Sequence, residues 1–190
     1  MLRPKNNKTK PRIKHRPFLK WAGGKFRLTD DLNRVFPKRK QCLIEPFVGA
    51  GAVFLNSHFE RYILADINPD LINLFNIVKE NVDVYIEACK PIFFAENANT
   101  AEYYYAQRDA FNQSTDPFVR SVLFLYLNRF GFNGLCRYNS KNEFNVPFGA
   151  YKTHYFPEDE LRYFAHKAQS AVFLCADFQQ TFELADKHSV

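Results

Sequence analysis

Two glycines and an acid carry the first chemical signal in this chain. Gly49 and Gly51 lie in Glu45-Pro46-Phe47-Val48-Gly49-Ala50-Gly51, between the apolar run Cys42, Leu43, Ile44 and the helix-compatible Ala52-Val53-Phe54-Leu55. Glycines at such a turn permit positive φ and let a ligand approach the backbone. The helix start adds free N–H groups. The spacing is not the dinucleotide fingerprint, because G-x-G-x-x-G needs a third glycine where Phe54 stands. Asp66 closes a second apolar run, Arg61 to Ala65, 17 residues after Gly49. An acid about 20 residues beyond the glycine turn is how doubly wound sheets grip a ribose. The three residues together point to a nucleoside-bearing cofactor.

Two other stretches hold side chains suited to chemistry or recognition. Trp21-Ala22-Gly23-Gly24-Lys25 contains the one tryptophan of the chain. It is not a phosphate loop: Lys25 is followed by Phe26, and the first glycine of G-x-x-x-x-G-K-[ST] is missing. The second stretch is Asn128-Arg129-Phe130-Gly131-Phe132-Asn133-Gly134-Leu135-Cys136-Arg137-Tyr138-Asn139, where amide, arginine and aromatic side chains alternate between glycines. Ser140 to Glu143 reads as a turn, and Phe144 to Gly149 as a returning strand. A hairpin carrying Asn, Arg and aromatics suits base edges and base stacking, although aromatics at such positions also commonly face a core.

These residues need elements to hold them. Periodicity predicts strands over 42–45, 61–66 and 171–175, the last ending at Ala176-Asp177. Asn68 and Pro69 open a helix with Leu71, Leu74, Phe75 and Val78 as its buried stripe. Residues 81–112 read as helical, and Asp116-Pro117 caps a helix whose Val119, Val122, Leu123, Tyr126, Leu127 and Phe130 form an amphipathic face. Pro157 to Ala168 reads as another helix. About 90 residues with little strand separate the second strand from the third, longer than a simple crossover needs. The fold class is therefore α/β with an inserted helical portion.

Composition bounds the partners. The net charge is +6, but residues 1–29 hold ten Lys/Arg and no Asp/Glu, so the remainder is slightly acidic. The basicity sits in an amino-terminal arm, of the kind that often meets nucleic acid. Residues 1–16 are expected to be disordered, with order beginning at Pro17. The four cysteines, Cys42, Cys89, Cys136 and Cys175, form no C-x-x-C pair and read as free thiols of a reducing compartment. The histidines have no metal-ligand spacing, and no apolar run approaches a membrane span. We expect no metal and no membrane contact.

The motifs F-L-K-W-A-G-G-K (18–25), E-P-F-V-G-A-G (45–51), A-D-I-N (65–68), F-L-Y-L-N-R-F-G-F-N-G-L-C-R-Y-N (124–139) and F-N-V-P-F-G (144–149) closely resemble those of Dam-type adenine-specific DNA methyltransferases, the D12 class. The resemblance covers Pro17 to about Val190. It implies transfer of a methyl group from S-adenosyl-L-methionine to the exocyclic amine of adenine in double-stranded DNA, typically within GATC (EC 2.1.1.72). It also implies a monomer in the cytoplasm of a bacterial or phage-infected cell.

The implied fold is a Rossmann-like sheet, incomplete in these 190 residues, with an inserted helical target-recognition domain. The corresponding division is a basic arm (1–16), a cofactor domain (17–69 and 155–190) and a recognition domain (70–154). By matching positions, the resemblance assigns Trp21, Lys25, Glu45, Pro46, Phe47, Gly49, Gly51, Asp66, Ile67, Asp177 and Phe178 to the cofactor. It assigns Lys20, Phe132, Asn133, Leu135, Arg137, Pro147 and Tyr151 to DNA.

One departure bears on chemistry. The family's catalytic D-P-P-Y, which follows the third strand, occurs nowhere in residues 1–190; Asp116-Pro117-Phe118 is the nearest approach and serves better as a helix cap. The chain is expected to be an amino-terminal portion of such an enzyme, inactive as written. The competing reading is a non-catalytic DNA-binding remnant. A small-molecule methyltransferase leaves the Asn/Arg/aromatic stretch unexplained.

Overall fold

A computed structural model describes residues 13–37 and 41–190. Three parallel strands, β1 (Cys42–Glu45), β2 (Arg61–Asp66) and β3 (Ala171–Cys175), form one sheet in that order. Register places Ile44 beside Ile63, Leu64 beside Phe173 and Asp66 beside Cys175. β2 and β3 thus end together at Asp66 and Cys175, and β1 ends at Glu45 beside Leu64. In open parallel sheets this carboxyl end is where ligands bind.

Side chains two apart on a strand share a face, and one face of this sheet is fully covered. Leu43, Tyr62, Leu64, Ala171 and Phe173 are buried there. An aromatic layer packs on them: Phe54 meets Tyr62 edge-on at 4.9 Å, and Phe75 meets Phe164 at 4.7 Å and Phe173 at 5.3 Å. After α1 (Thr29–Val35), the helices α2 (Ala52–Asn56), α3 (Pro69–Glu80) and α7 (Glu158–Ala168) supply these rings. The other face is thinly covered by α8 (Phe178–Phe182), and Val172 stays 53% exposed.

α3 starts as its sequence dictates. The Asn68 side-chain oxygen accepts from the N–H groups of Asp70 and Leu71 at 3.0 and 3.2 Å, with Pro69 in the first turn. Its stripe Leu71, Leu74, Phe75 and Val78 is fully buried. α4 (Val82–Phe93), α5 (Ala101–Gln113) and α6 (Pro117–Phe130) follow. The cap on α6 is Asp116, which accepts from Val119 N–H at 2.9 Å. α6 differs from the amphipathic expectation. From Ser121 to Phe130 every residue but Arg129 is buried, because α3, α4 and α5 all pack against it.

Two expectations are corrected in detail. The arm does not stay free up to Pro17: His15 exchanges two 2.9 Å hydrogen bonds with Asn56 and stacks on Tyr163 at 3.5 Å. The basic residues 1–12 lie outside the described residues. The 130–149 stretch is not a regular hairpin. Only two isolated antiparallel bridges, Gly131 with Phe148 and Tyr138 with Phe144, close it around a helical turn at Phe132–Gly134. The polar and glycine residues that suit recognition interrupt the ladder. The last residues also add to the sheet. Val190 N–H donates to Cys42 O at 3.0 Å and Ile44 N–H to Val190 O at 2.9 Å, extending the sheet in parallel beyond β1.

Candidate functional site

The site is built on the turns that leave β1 and β2. Gly49 and Gly51 both take positive φ, +48° and +76°, as the sequence required. Gly49 has a further reason to lack a side chain: a Cβ there would lie 2.9 Å from the Trp21 indole. Trp21 therefore lies flat against the bare backbone of the glycine turn and forms a wall above it. Asp66 ties the two turns together. Its Oδ2 accepts from Gly49 N–H and its Oδ1 from Asn68 N–H, each at 3.1 Å. Each carboxylate oxygen keeps a further lone pair for a ligand hydroxyl.

A cleft of about 1140 Å³ opens above these groups. Trp21, Lys25, Glu45, Pro46, Phe47, Gly49 and Asp66 line it, with Lys20 at its rim. Glu45 sits at the floor. Its Oε2 is sealed from solvent without a hydrogen-bond partner. Burial pushes its carboxyl up to about 8, against the pull of the Phe54 N–H and the Lys25 ammonium. An acid held in that state is suited to meet a cationic ligand group.

Not every residue assigned to the cofactor lines the cleft. Gly51 is the left-handed N-cap of α2, beneath the turn. Ile67 and Phe178 are 74% and 40% exposed beyond the Asp66 side, and Phe178 packs on Phe47 at 5.8 Å. Asp177 opens α8 in a capping box, accepting from Gln179 N–H at 2.8 Å while its own N–H donates to Gln180 Oε1. One of its oxygens is thus committed to the helix. Phe47, Ile67 and Phe178 are all exposed apolar side chains, and of the three only Phe47 lines the cleft.

Of the residues assigned to DNA, Lys20 lines the cleft and the others lie in the 132–151 segment, which meets Lys20 at Gly134 and Tyr151. Lys20 is clamped there: its backbone exchanges hydrogen bonds with the Asn128 side chain at 2.8 and 2.7 Å, and its ammonium donates to Arg129 O at 2.9 Å. That ammonium lies 3.8 Å from the centre of the Tyr151 ring. Burial and the neighbouring Arg129 lower it to about 8. Pro147 O accepts from Phe132 N–H at 2.9 Å, and Tyr151 donates to Gly131 O. Phe132 and Asn133 are exposed at the loop tip, with Asn133 at φ +52°, while Leu135 is half-buried. Arg137 is exposed, its Nε and guanidinium tip held by Asn145 Oδ1 and O at 2.7 and 3.0 Å. Arg16 and Arg129 also line the cleft and were not singled out from the sequence. Their contributions come from the docked arm and from the one position of Ser121–Phe130 in α6 that is not buried, neither of which has a local sequence signature.

Residues 21–190 match the D12 class N6 adenine-specific DNA methyltransferase family. The chain belongs to that family. Among D12-class relatives, the DNA adenine methylase of Haemophilus influenzae is 83% identical over the whole of this chain. Those of Escherichia coli K12 and Vibrio cholerae are 60% and 58% identical over 93% of it. The chain spans 66% of the first and 63% of the other two. Among the described residues no helix is long and apolar enough to cross a membrane, and no cluster of three His, Cys, Asp or Glu could hold a metal.

Proposed function

We propose that this chain supplies the cofactor cleft and the base-reading loop of an adenine-specific DNA methyltransferase that uses S-adenosyl-L-methionine and acts at GATC. The observation that carries the reading is Asp66 hydrogen-bonded across the Gly49 turn beneath Trp21, facing the Lys20–Tyr151 lip. The cleft fits the cofactor by its own chemistry. Asp66 offers lone pairs to two vicinal ribose hydroxyls. An ammonium group brought against the Glu45 carboxyl would draw off the proton that burial holds there and leave a charged acceptor. Phe47, Ile67 and Phe178 flank the adenine, and Gly49 lets the ligand reach the backbone. When bound, the cofactor supplies an electrophilic methyl on sulfur.

The other lip handles DNA. Arg137, with two donors on one plane, reads a guanine edge. Phe132, Asn133 and Leu135 enter the duplex, and Lys20, Pro147 and Tyr151 hold its near strand. Flipped-base enzymes stack the target and accept from its edge. Residues 1–190 contain no D-P-P-Y or N-P-P-Y to do so, and positioning with electrostatic preorganisation supplies most of the barrier reduction in such reactions. The 190-residue polypeptide therefore binds without turning over.

Trp21 is the only tryptophan, so its fluorescence reports cleft occupancy directly. Asp66→Ala is expected to weaken S-adenosylmethionine by about 1–3 kcal/mol, the usual cost of losing a buried polar partner. Unchanged affinity removes Asp66 from the site. A tritiated-methyl assay on GATC duplex separates the roles. We expect no transfer by residues 1–190, and turnover by this polypeptide would mean that acceptors for adenine lie among residues not assigned to that role.

A further inference from the structure

The turn between β2 and α3 does two jobs with residues spaced two apart. Asp66 faces the cleft and holds Gly49. Asn68 accepts from the first turn of α3 through Oδ1, and its Nδ2 donates to Cys136 Sγ at 3.3 Å. Asp70, only 8% exposed, accepts from the Tyr138 hydroxyl at 2.7 Å. Arg120 grips the same carboxylate with Nε and a terminal nitrogen at 2.8 and 2.9 Å. Arg120 is itself fixed by the carbonyls of Phe111 and Ser114. Cys136 and Tyr138 are the immediate neighbours of Arg137. The loop is thus pinned to this turn on either side of its exposed arginine, and it has no strand ladder to pin it otherwise.

The strengths of these links differ. A phenol and a forked guanidinium on one buried carboxylate make charge-assisted hydrogen bonds in a low-dielectric setting, the strongest class available here. The amide-to-thiol bond is weak, and burial keeps Cys136 a thiol, pushed up to about 11. The first link therefore sets where the loop sits. The second registers small movements of Asn68, whose N–H is bonded to Asp66. A ligand that draws Asp66 toward its hydroxyls moves or stiffens the same short turn.

Resting on the function proposed above, we infer that the Asp66–Asp70 turn is the joint that couples cofactor occupancy to sequence reading, with Asn68 and Tyr138 as positioning residues for Arg137. Neither residue touches cofactor or base. Their effect is on the coupling between the two sites, which must be reciprocal.

The test uses the 190-residue chain, S-adenosylhomocysteine as the cofactor probe, and labelled duplexes with GATC or a scrambled site. Fluorescence anisotropy gives the cognate-to-scrambled affinity ratio with and without the probe. In the unaltered chain we expect saturating probe to raise that ratio roughly tenfold, within the usual range for coupled sites. Tyr138→Phe keeps the ring against Phe144 and removes only the hydroxyl. Asn68→Ser keeps a helix-capping oxygen and removes the donor to Cys136.

Each variant is expected to bind probe alone and scrambled DNA alone within about threefold of the parent, while the probe-induced gain falls to about twofold or less. A merely structural role would lower all affinities together. A gain that persists in both variants, or is absent from the parent although both ligands bind, overturns the joint and leaves the functional reading standing. A parent that binds neither probe nor DNA overturns that reading and this one with it.

Discussion

Glu45 shows how much one side chain can reveal about a site. It ends β1 at the floor of the cleft with an oxygen that has no partner, and its carboxyl is raised from 4.5 to about 8, chiefly by burial. The folded chain therefore holds a proton there that the unfolded chain releases between those two values. Stability from this group is complete below pH 4.5 and is lost as pH rises through 8. Glu45→Gln copies the protonated state at every pH. It should melt with the parent at pH 4.5. At pH 8.5 it should melt higher, by an amount on the order of a few kcal/mol, or roughly 5–10 °C. Thermal melts across that range decide, and parallel curves would show that Glu45 ionises freely in the empty cleft. The sequence placed Glu45 in the loop under the cofactor by resemblance. Its lack of a partner depends on the packing of α2 and Lys25, which no local pattern encodes.

At the scale of elements, the 128–149 stretch stood out in the sequence, but its form did not follow from it. The alternation of Asn, Arg and aromatics marked residues 128–149, but the expected hairpin survives only as two bridges. The reason is visible at Gly134, where a side chain would collide with Lys20 and φ is +59°. The loop is shaped by a residue more than a hundred positions away. By contrast, α3 was legible to its cap, because Asn68, Pro69 and the apolar stripe are all local signals. The two cationic residues of this region should then behave differently. Arg137, exposed and oriented by Asn145, is expected to read a base. Arg137→Ala should cost about 1–3 kcal/mol on GATC duplex and flatten sequence preference. Lys20→Ala should weaken cognate and scrambled duplexes alike and reduce the salt slope by about one. Equal losses on both duplexes for Arg137→Ala would assign it to the backbone instead.

The whole molecule does not divide as cleanly as the order of its strands and helices suggested. The sequence placed a boundary at residue 70, between a cofactor domain and a recognition domain. α3 instead packs against β2, β3 and α7 on one side and α4 and α6 on the other. One continuous apolar cluster runs from Leu43, Leu64 and Phe173 through Phe75 and Phe164 to Tyr126 and Phe130. A shared core makes the loss of either part costly to the other, which is the physical condition for all-or-none unfolding. The exposed second face of the sheet, with Val172, Phe182 and Leu184 each about half exposed or more, weakens the α/β side without separating it from that core. The two sides carry their own reporters: Trp21 lies on the glycine turn of the sheet side, whereas the far-ultraviolet signal is dominated by the long helices α3 to α6. Urea unfolding of residues 1–190 is therefore expected to give coincident transitions by Trp21 fluorescence and by circular dichroism, with one midpoint. A Trp21 transition completed well before the helical signal falls would show that the helical layer is a separate folding unit, and would restore the boundary at residue 70.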